Sequence, residues 1–238
     1  VLITPYLIIG AVIALMFLVI YLTKMPTNAD KNHDVRPMAT LRRSWRLPHY
    51  REGVIAQFFY VGVQIMCWTF IIQYGTRVLM SEGMSEIDAE VLSQRYNIIA
   101  MAIFVTSRFI CTFFLKYINA GALLGVLAVV GTLLTLGVIF IDGRGGLYCL
   151  VAISACMSLM FPTIYGIALQ GLGDDAKFGA AGLIMAILGG SVLPPLQASI
   201  IDQQTLFGMP AVNVSFVLPL VCFLVIIAYG YRTYARTK

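Results

Sequence analysis

Apolar residues in this chain come in long runs separated by short polar stretches. A helix that crosses a bilayer needs about 20 largely apolar residues, because the hydrocarbon core is about 30 Å thick and each residue advances about 1.5 Å. Seven segments meet that requirement: roughly 4–25, 53–80, 95–118, 119–141, 147–170, 178–201 and 210–231. None alternates strictly between apolar and polar positions, and each is about twice as long as a barrel strand. The pattern predicts an all-α integral membrane protein with seven transmembrane helices. The first run lacks a basic lead-in and a small-residue cleavage site, so it reads as a span and not a signal peptide. An apolar run already under way at Val1 is what a piece of a longer chain would show.

Composition agrees with the pattern. Hydrophobic residues make up 60% of the 238 and charged residues 11%, with a mean hydropathy of +0.88. A soluble domain carries roughly a quarter charged residues, so most of this surface must meet something other than water. The five cysteines, Cys67, Cys111, Cys149, Cys156 and Cys222, all fall inside predicted spans and read as small packing residues. No Cys/His spacing resembles a metal site, and no cofactor is expected.

Charge then orients the spans. Lys24, Lys31, Arg36, Arg42, Arg43, Arg46 and Arg51 lie between the first two runs, Lys116 and Lys177 in alternate later turns, and Arg232, Arg236 and Lys238 in the tail. The opposite side holds Arg77, Arg95 and Arg144, with the acidic residues Glu82, Glu86, Asp88, Glu90, Asp142 and Asp202. Positive-inside bias puts the 26–51 loop and the C-terminus in the cytoplasm. The net charge of +5 follows from this topology, and no basic–aromatic face for nucleic acid is present. Thr40–Leu47 reads as a short amphipathic piece at the headgroups, anchored by Trp45, with Pro48 suited to the first turn of the next helix.

Polar residues and helix breakers inside spans mark candidate chemistry. In the second span Gln57, Tyr60, Val61, Gln64 and Trp68 share one helix face. Amides suit sugar hydroxyls and an indole suits the C–H face of a ring, and transporter sites lie at this depth. Helix–helix packing is the plainer alternative. In the fifth span Ser154, Ser158, Phe161 and Tyr165 form a second stripe, and Pro162 predicts a kink. The sixth span, with Gly189, Gly190, Pro194 and Pro195, reads as a bending element. Gly121 and Gly125 form a GxxxG that indicates close packing. Arg108 is the one formal charge well inside a span and is read as structural or gating; Asn97, near the outer end of the same helix, would line an entrance. No Asp or Glu lies inside any span, with Glu52 at the inner edge of the second.

Two stretches resemble a known family. One runs from Met157-Ser158-Leu159-Met160-Phe161-Pro162-Thr163-Ile164-Tyr165 through Gln170-Gly171-Leu172-Gly173-Asp174-Asp175-Ala176-Lys177-Phe178-Gly179 to Gly189, Gly190, Pro194 and Pro195. The other is Ala56-Gln57-Phe58-Phe59-Tyr60-Val61-Gly62-Val63-Gln64 with Cys67-Trp68. Both are similar to the C-terminal half of the L-fucose:proton symporter branch of the major facilitator superfamily, as are Thr4-Pro5-Tyr6 and Ser107-Arg108-Phe109. The resemblance implies two six-helix halves that rock around a central site. Residues 1–25 would be the last helix of the N-terminal half, 26–51 a basic cytoplasmic inter-domain loop, and 52–238 the C-terminal six-helix domain. It further implies proton-coupled transport of L-fucose or a related hexose across a bacterial inner membrane, with the proton-carrying carboxylates in the N-terminal half.

The expected partners are membrane lipids, a sugar and a proton, and the missing six-helix half. The expected substrate residues are Gln57, Gln64, Trp68, Ser158, Phe161, Tyr165 and Asn97. Arg108, Pro162, Asp174, Asp175, Lys177, Gly189, Gly190, Pro194 and Pro195 would serve gating or structure, with the Asp174–Lys177 turn closing the cytoplasmic side. The chain departs from the family pattern at Phe161, where a tyrosine is expected, and at Ser107, where a glycine is expected. The missing hydroxyl at Phe161 keeps glucose, galactose and non-sugar solutes open. A seven-helix receptor is a distant alternative, against which stand the absent extracellular cysteine pair and the long first inner loop. An enzyme is not expected, because His33 and His49 both lie in that loop, away from any clustered acids.

Overall fold

The computed structural model describes residues 3–22, 43, 45–203, 205–206 and 208–237. The chain divides into two units, Val1–Arg36 and Pro37–Lys238. In the first, helix α1 spans Ile3–Leu22, 20 residues or about 30 Å, and every side chain from Leu7 to Leu22 is exposed. Most of the 26–51 segment, including Arg42, Ser44 and most of the Thr40–Leu47 piece, lies outside the described residues.

The second unit is a helical bundle with six spans long and apolar enough to cross a membrane. Its helices are α2 (Pro48–Ser81), α3 (Glu86–Phe114), α4 (Ala120–Phe140), α5 (Arg144–Met157), α6 (Met160–Leu169), α7 (Ala176–Met185), α8 (Gly189–Ile201), α9 (Ala211–Ser215) and α10 (Val217–Thr237). A two-stranded hairpin, Thr205–Leu206 with Met209–Pro210, turns at Gly208 (φ 76°). The chain is thus an all-α, multi-pass membrane protein, as the apolar runs predict.

The second helix begins at Pro48, ahead of the apolar run at 53, as that residue's suitability for the first turn implies: proline is preorganised there and its missing N–H costs nothing. One boundary differs from the sequence reading. The third begins at Glu86 and not at 95: Ser85 caps it, its Oγ accepting from the Asp88 N–H at 3.3 Å, and Glu86 and Asp88 sit where the helix dipole favours acids. Its first turns therefore project beyond the apolar run that marks the span.

Helix α2 is the hub, packing against α3, α5, α6, α8 and α10. The α4–α10 pair closes tightly, Gly230 lying against the backbone of Gly121 and Gly125, so that GxxxG is a packing seam. Burial is uneven. The α2 and α5–α6 spans bury most of their residues, whereas only 11% of the α3 span and 28% of the α7–α8 span is buried within the chain. Ile98, Val105, Phe109 and Ile110 on α3 and Ile184, Met185 and Leu188 around α7 present apolar surface outward.

The fifth and sixth spans are both interrupted. The fifth breaks at Ser158–Leu159 between α5 and α6. The sixth tightens into a 3₁₀ turn, Ala186–Leu188, between α7 and α8. Pro162 lies one turn beyond the first break, as expected of a residue that cannot bond the carbonyl four positions back.

A candidate substrate site at the broken fifth span

Three helices bring the candidate residues together: α2 with Tyr60, Gln64 and Trp68; α5–α6 with Ser154, Ser158, Phe161 and Tyr165; and α3 with Phe104, Ser107 and Arg108. Trp68 is half-buried and donates Nε1–H to Ser154 Oγ at 3.3 Å. Its indole meets the Phe104 ring edge-on at 4.9 Å. Tyr60 is fully buried, meets Phe161 edge-on at 6.1 Å and donates its hydroxyl to the Met157 carbonyl at 2.9 Å. Phe161 and Tyr165 stack, with centroids 6.3 Å apart and planes 11° from parallel. Gln64, one helical turn from both Tyr60 and Trp68, is half-buried. The half-buried groups are therefore strung along the α2 face: the indole of Trp68 beside Ser154, the amide of Gln64 one turn on, the Phe161 ring beside Tyr60, and the Tyr165 phenol stacked beyond it against the cluster around Tyr50.

The expected residues do not all behave alike. Gln57 is fully buried, and neither amide atom has a partner among the described residues. Its helical phase is shared with Gln64, but α2 turns it into the bundle, so it does not line an open face in this conformation. Ser158 is likewise buried: its hydroxyl donates to the Ala155 carbonyl at 2.9 Å and lies 3.2 Å from Ser107 Oγ. That hydroxyl ties α5 to α3 and does not face an open surface. Asn97 lies two turns before Phe104 on α3, about 10 Å along the axis, with a buried amide oxygen lacking a partner among the described residues.

The gating candidates fall in three places. Arg108 is exposed on α3, its Nε donating to the Ser158 carbonyl at 3.1 Å and its guanidinium lying 5.0 Å from the Phe104 ring. It engages the break in the fifth span and is not simply extended toward the headgroups. Asp175 closes a 3₁₀ turn, Gly173–Asp175, and pairs with Arg43 at 3.4 Å; the side chain of Asp174 lies outside the description, and Lys177 is exposed. Gly189 lies against the Phe58 carbonyl and Gly190 against Val61 and Ile65, so these glycines also set how closely α8 approaches α2. Pro194 and Pro195 sit within α8, beyond the 3₁₀ turn.

Ser154, Tyr60, Phe104 and Ser107 belong to this cluster as well. The first two lie on the stripes visible in the sequence. Phe104 stands four residues before Arg108, a spacing that marks a shared helix face but says nothing of which helix the face meets.

No family model matches the chain. It is 52% identical over 235 residues to an L-fucose-proton symporter of Haemophilus influenzae, covering 98% of this chain and 53% of that protein. It is 32% identical to the L-fucose-proton symporter of Escherichia coli, covering 99% and 52%. A crystal structure of the major facilitator superfamily transporter FucP in the outward conformation superposes with a TM-score of 0.80 at 32% identity, over 97% of this chain and 54% of that one. The chain spans about half the length of the curated relatives it matches. By sequence and by fold it is similar to the C-terminal half of L-fucose–proton symporters of the major facilitator superfamily.

Proposed function

We propose that this chain forms the C-terminal half of a proton-coupled L-fucose symporter that works by alternating access. The observation that carries the reading is the row of Trp68, Gln64 and Phe161 along the α2 face at a broken helix, with Tyr165 stacked on Phe161. An amide and aromatic faces are what a hexose needs from a site: hydrogen bonds for hydroxyls and flat apolar surface for ring C–H groups. The weakly buried α3 and α7–α8 spans offer the apolar area on which a second six-helix half would close, α1 being the last helix of that half. Asn97 would stand at the entrance, and Gln57 and Ser158 would support the site from behind. Among the described residues the carboxylates of the spanning helices, Glu52, Glu86, Asp88 and Glu90, lie near helix ends and none in the middle of a span, so on this reading proton uptake and release belong to the other half. The protein would sit in a bacterial inner membrane among its lipids, with the 26–51 loop and the C-terminus cytoplasmic.

The test is uptake of radiolabelled L-fucose, D-glucose and D-galactose into vesicles carrying the full-length transporter, with and without an inward proton gradient. Gradient-driven uptake of L-fucose that falls at least about tenfold in Gln64→Ala is the expected result. Phe161, which lacks a hydroxyl, favours one second reading: a glucose or galactose carrier of the same branch. Gradient-driven uptake of either of those sugars without L-fucose would establish it.

A further inference from the structure

Pro162 has no N–H, so the Ser158 carbonyl four residues earlier cannot close its helical hydrogen bond. Within a membrane such a carbonyl must find another donor. Arg108 supplies it from α3, Nε to oxygen at 3.1 Å. One residue earlier, the Met157 carbonyl accepts from the Tyr60 hydroxyl of α2 at 2.9 Å. The two carbonyls that end α5 are thus held by side chains from two neighbouring helices. One of them, α2, also carries the candidate sugar-binding groups Gln64 and Trp68. Tyr60 touches Phe161 edge-on, and Arg108 lies over Phe104, whose ring abuts Trp68. Ser107 adds a third tie, its hydroxyl donating to the Ala155 carbonyl at 2.9 Å.

We propose that Arg108 and Tyr60 are positioning residues for transport. By bonding the carbonyls left at the break, they set the angle at which α6, carrying Phe161 and Tyr165, leaves the break alongside Tyr60 of α2. Neither needs to touch the sugar. The guanidinium suits the task because it offers several N–H groups in a rigid plane. One of these engages the carbonyl while the guanidinium carbon lies 5.0 Å from the centre of the Phe104 ring. The assignment rests on the symporter reading for its role in transport, but the clamp itself is a property of the bundle.

The experiment is a double-mutant cycle in the full-length transporter with Arg108→Gln, Pro162→Ala and the pair. In Pro162→Ala the new N–H offers the Ser158 carbonyl a helical donor and makes Arg108 redundant there. Two readouts are taken: thermal unfolding in detergent, which needs no sugar, and initial uptake rates resolved into KM and maximal rate. Arg108→Gln should lower the melting temperature and cut the maximal rate roughly tenfold, with KM moving less than about twofold. In the Pro162→Ala background the same change should cost less than about twofold in rate and little further melting temperature. Arg108→Lys, a donor without the planar fork, should recover part of the maximal rate. Tyr60→Phe, which keeps the ring against Phe161, should also lower the maximal rate and leave KM. Additive losses in both readouts, or a loss confined to KM, overturn the assignment. If the parent moves none of the three sugars, the symporter reading fails and the thermal cycle alone judges the clamp: coupling supports it, additivity overturns it.

Discussion

A methyl group on Gly189 would run into the Phe58 carbonyl, a backbone atom with no rotamer to yield. Gly189→Ala must therefore push α8 off α2, at a cost of about 1–3 kcal/mol typical of overpacking. Gly125 has nothing within 4 Å of a would-be Cβ. Gly125→Ala should leave the melting temperature unchanged or raise it, since alanine is the better helix former. Thermal unfolding of the two variants side by side checks this, and equal losses would refute the packing described. At this scale the sequence was legible where chemistry is local. The interruption announced by Pro162 was readable. Gln57 was not, because a shared helical stripe does not say which part of the stripe the neighbouring helices cover. Arg108 was visible as an isolated charge, but its partner, a carbonyl 50 residues away in the chain, has no side-chain signature at all.

Helix ends and breaks belong to the next scale. The third helix owes its early start to Ser85, whose hydroxyl also donates to Asp88 Oδ2 at 2.7 Å. Ser85→Ala should destabilise this end by about 1 kcal/mol, as loss of an N-cap usually does. Hydrogen exchange should then speed up at Ile87–Ala89 and remain slow in the apolar part of the helix. Equal exchange before and after the change would show that the cap does not hold this end. Hydropathy cannot locate such a boundary, because the first turns lie outside the apolar stretch and are chosen by capping chemistry. The fifth and sixth spans are the reverse case. Proline and glycine announce interruption in both, but the break falls at Ser158–Leu159 in one and at Ala186–Leu188 in the other. Its place within each span depends on which freed groups find donors nearby.

Over the whole molecule, ion pairs mark the two ends of the bundle. Arg144 and Glu82 pair at 2.7 Å between α5 and the end of α2; Arg232 and Arg236 both reach Glu52 Oε1, at 3.0 and 3.2 Å, tying α10 to the start of α2. The second end is the basic one, and on the proposed topology, drawn from positive-inside bias, it would face the cytoplasm. Single cysteines at Gly83 and Gly143, in a version without the native five, should react with a membrane-impermeant maleimide added to intact cells. Cysteines at Tyr117 and Gly171 should react only after the membrane is opened. The opposite pattern would invert the topology.

The long apolar runs, the basic and acidic turns and the helix breakers are covalent properties of the chain. The sequence alone therefore determined that it spans a membrane, which ends of the spans are basic and which acidic, and which spans depart from regular helix. Only the tertiary structure decided that Gln57 faces inward, that the Ser158 hydroxyl is already engaged, and that Arg108 and Tyr60 hold the broken span. Each of these depends on which helix lies next to which, and that is set by close packing among residues distant in the chain, where one glycine against a backbone carbonyl fixes what a hydropathy pattern leaves free.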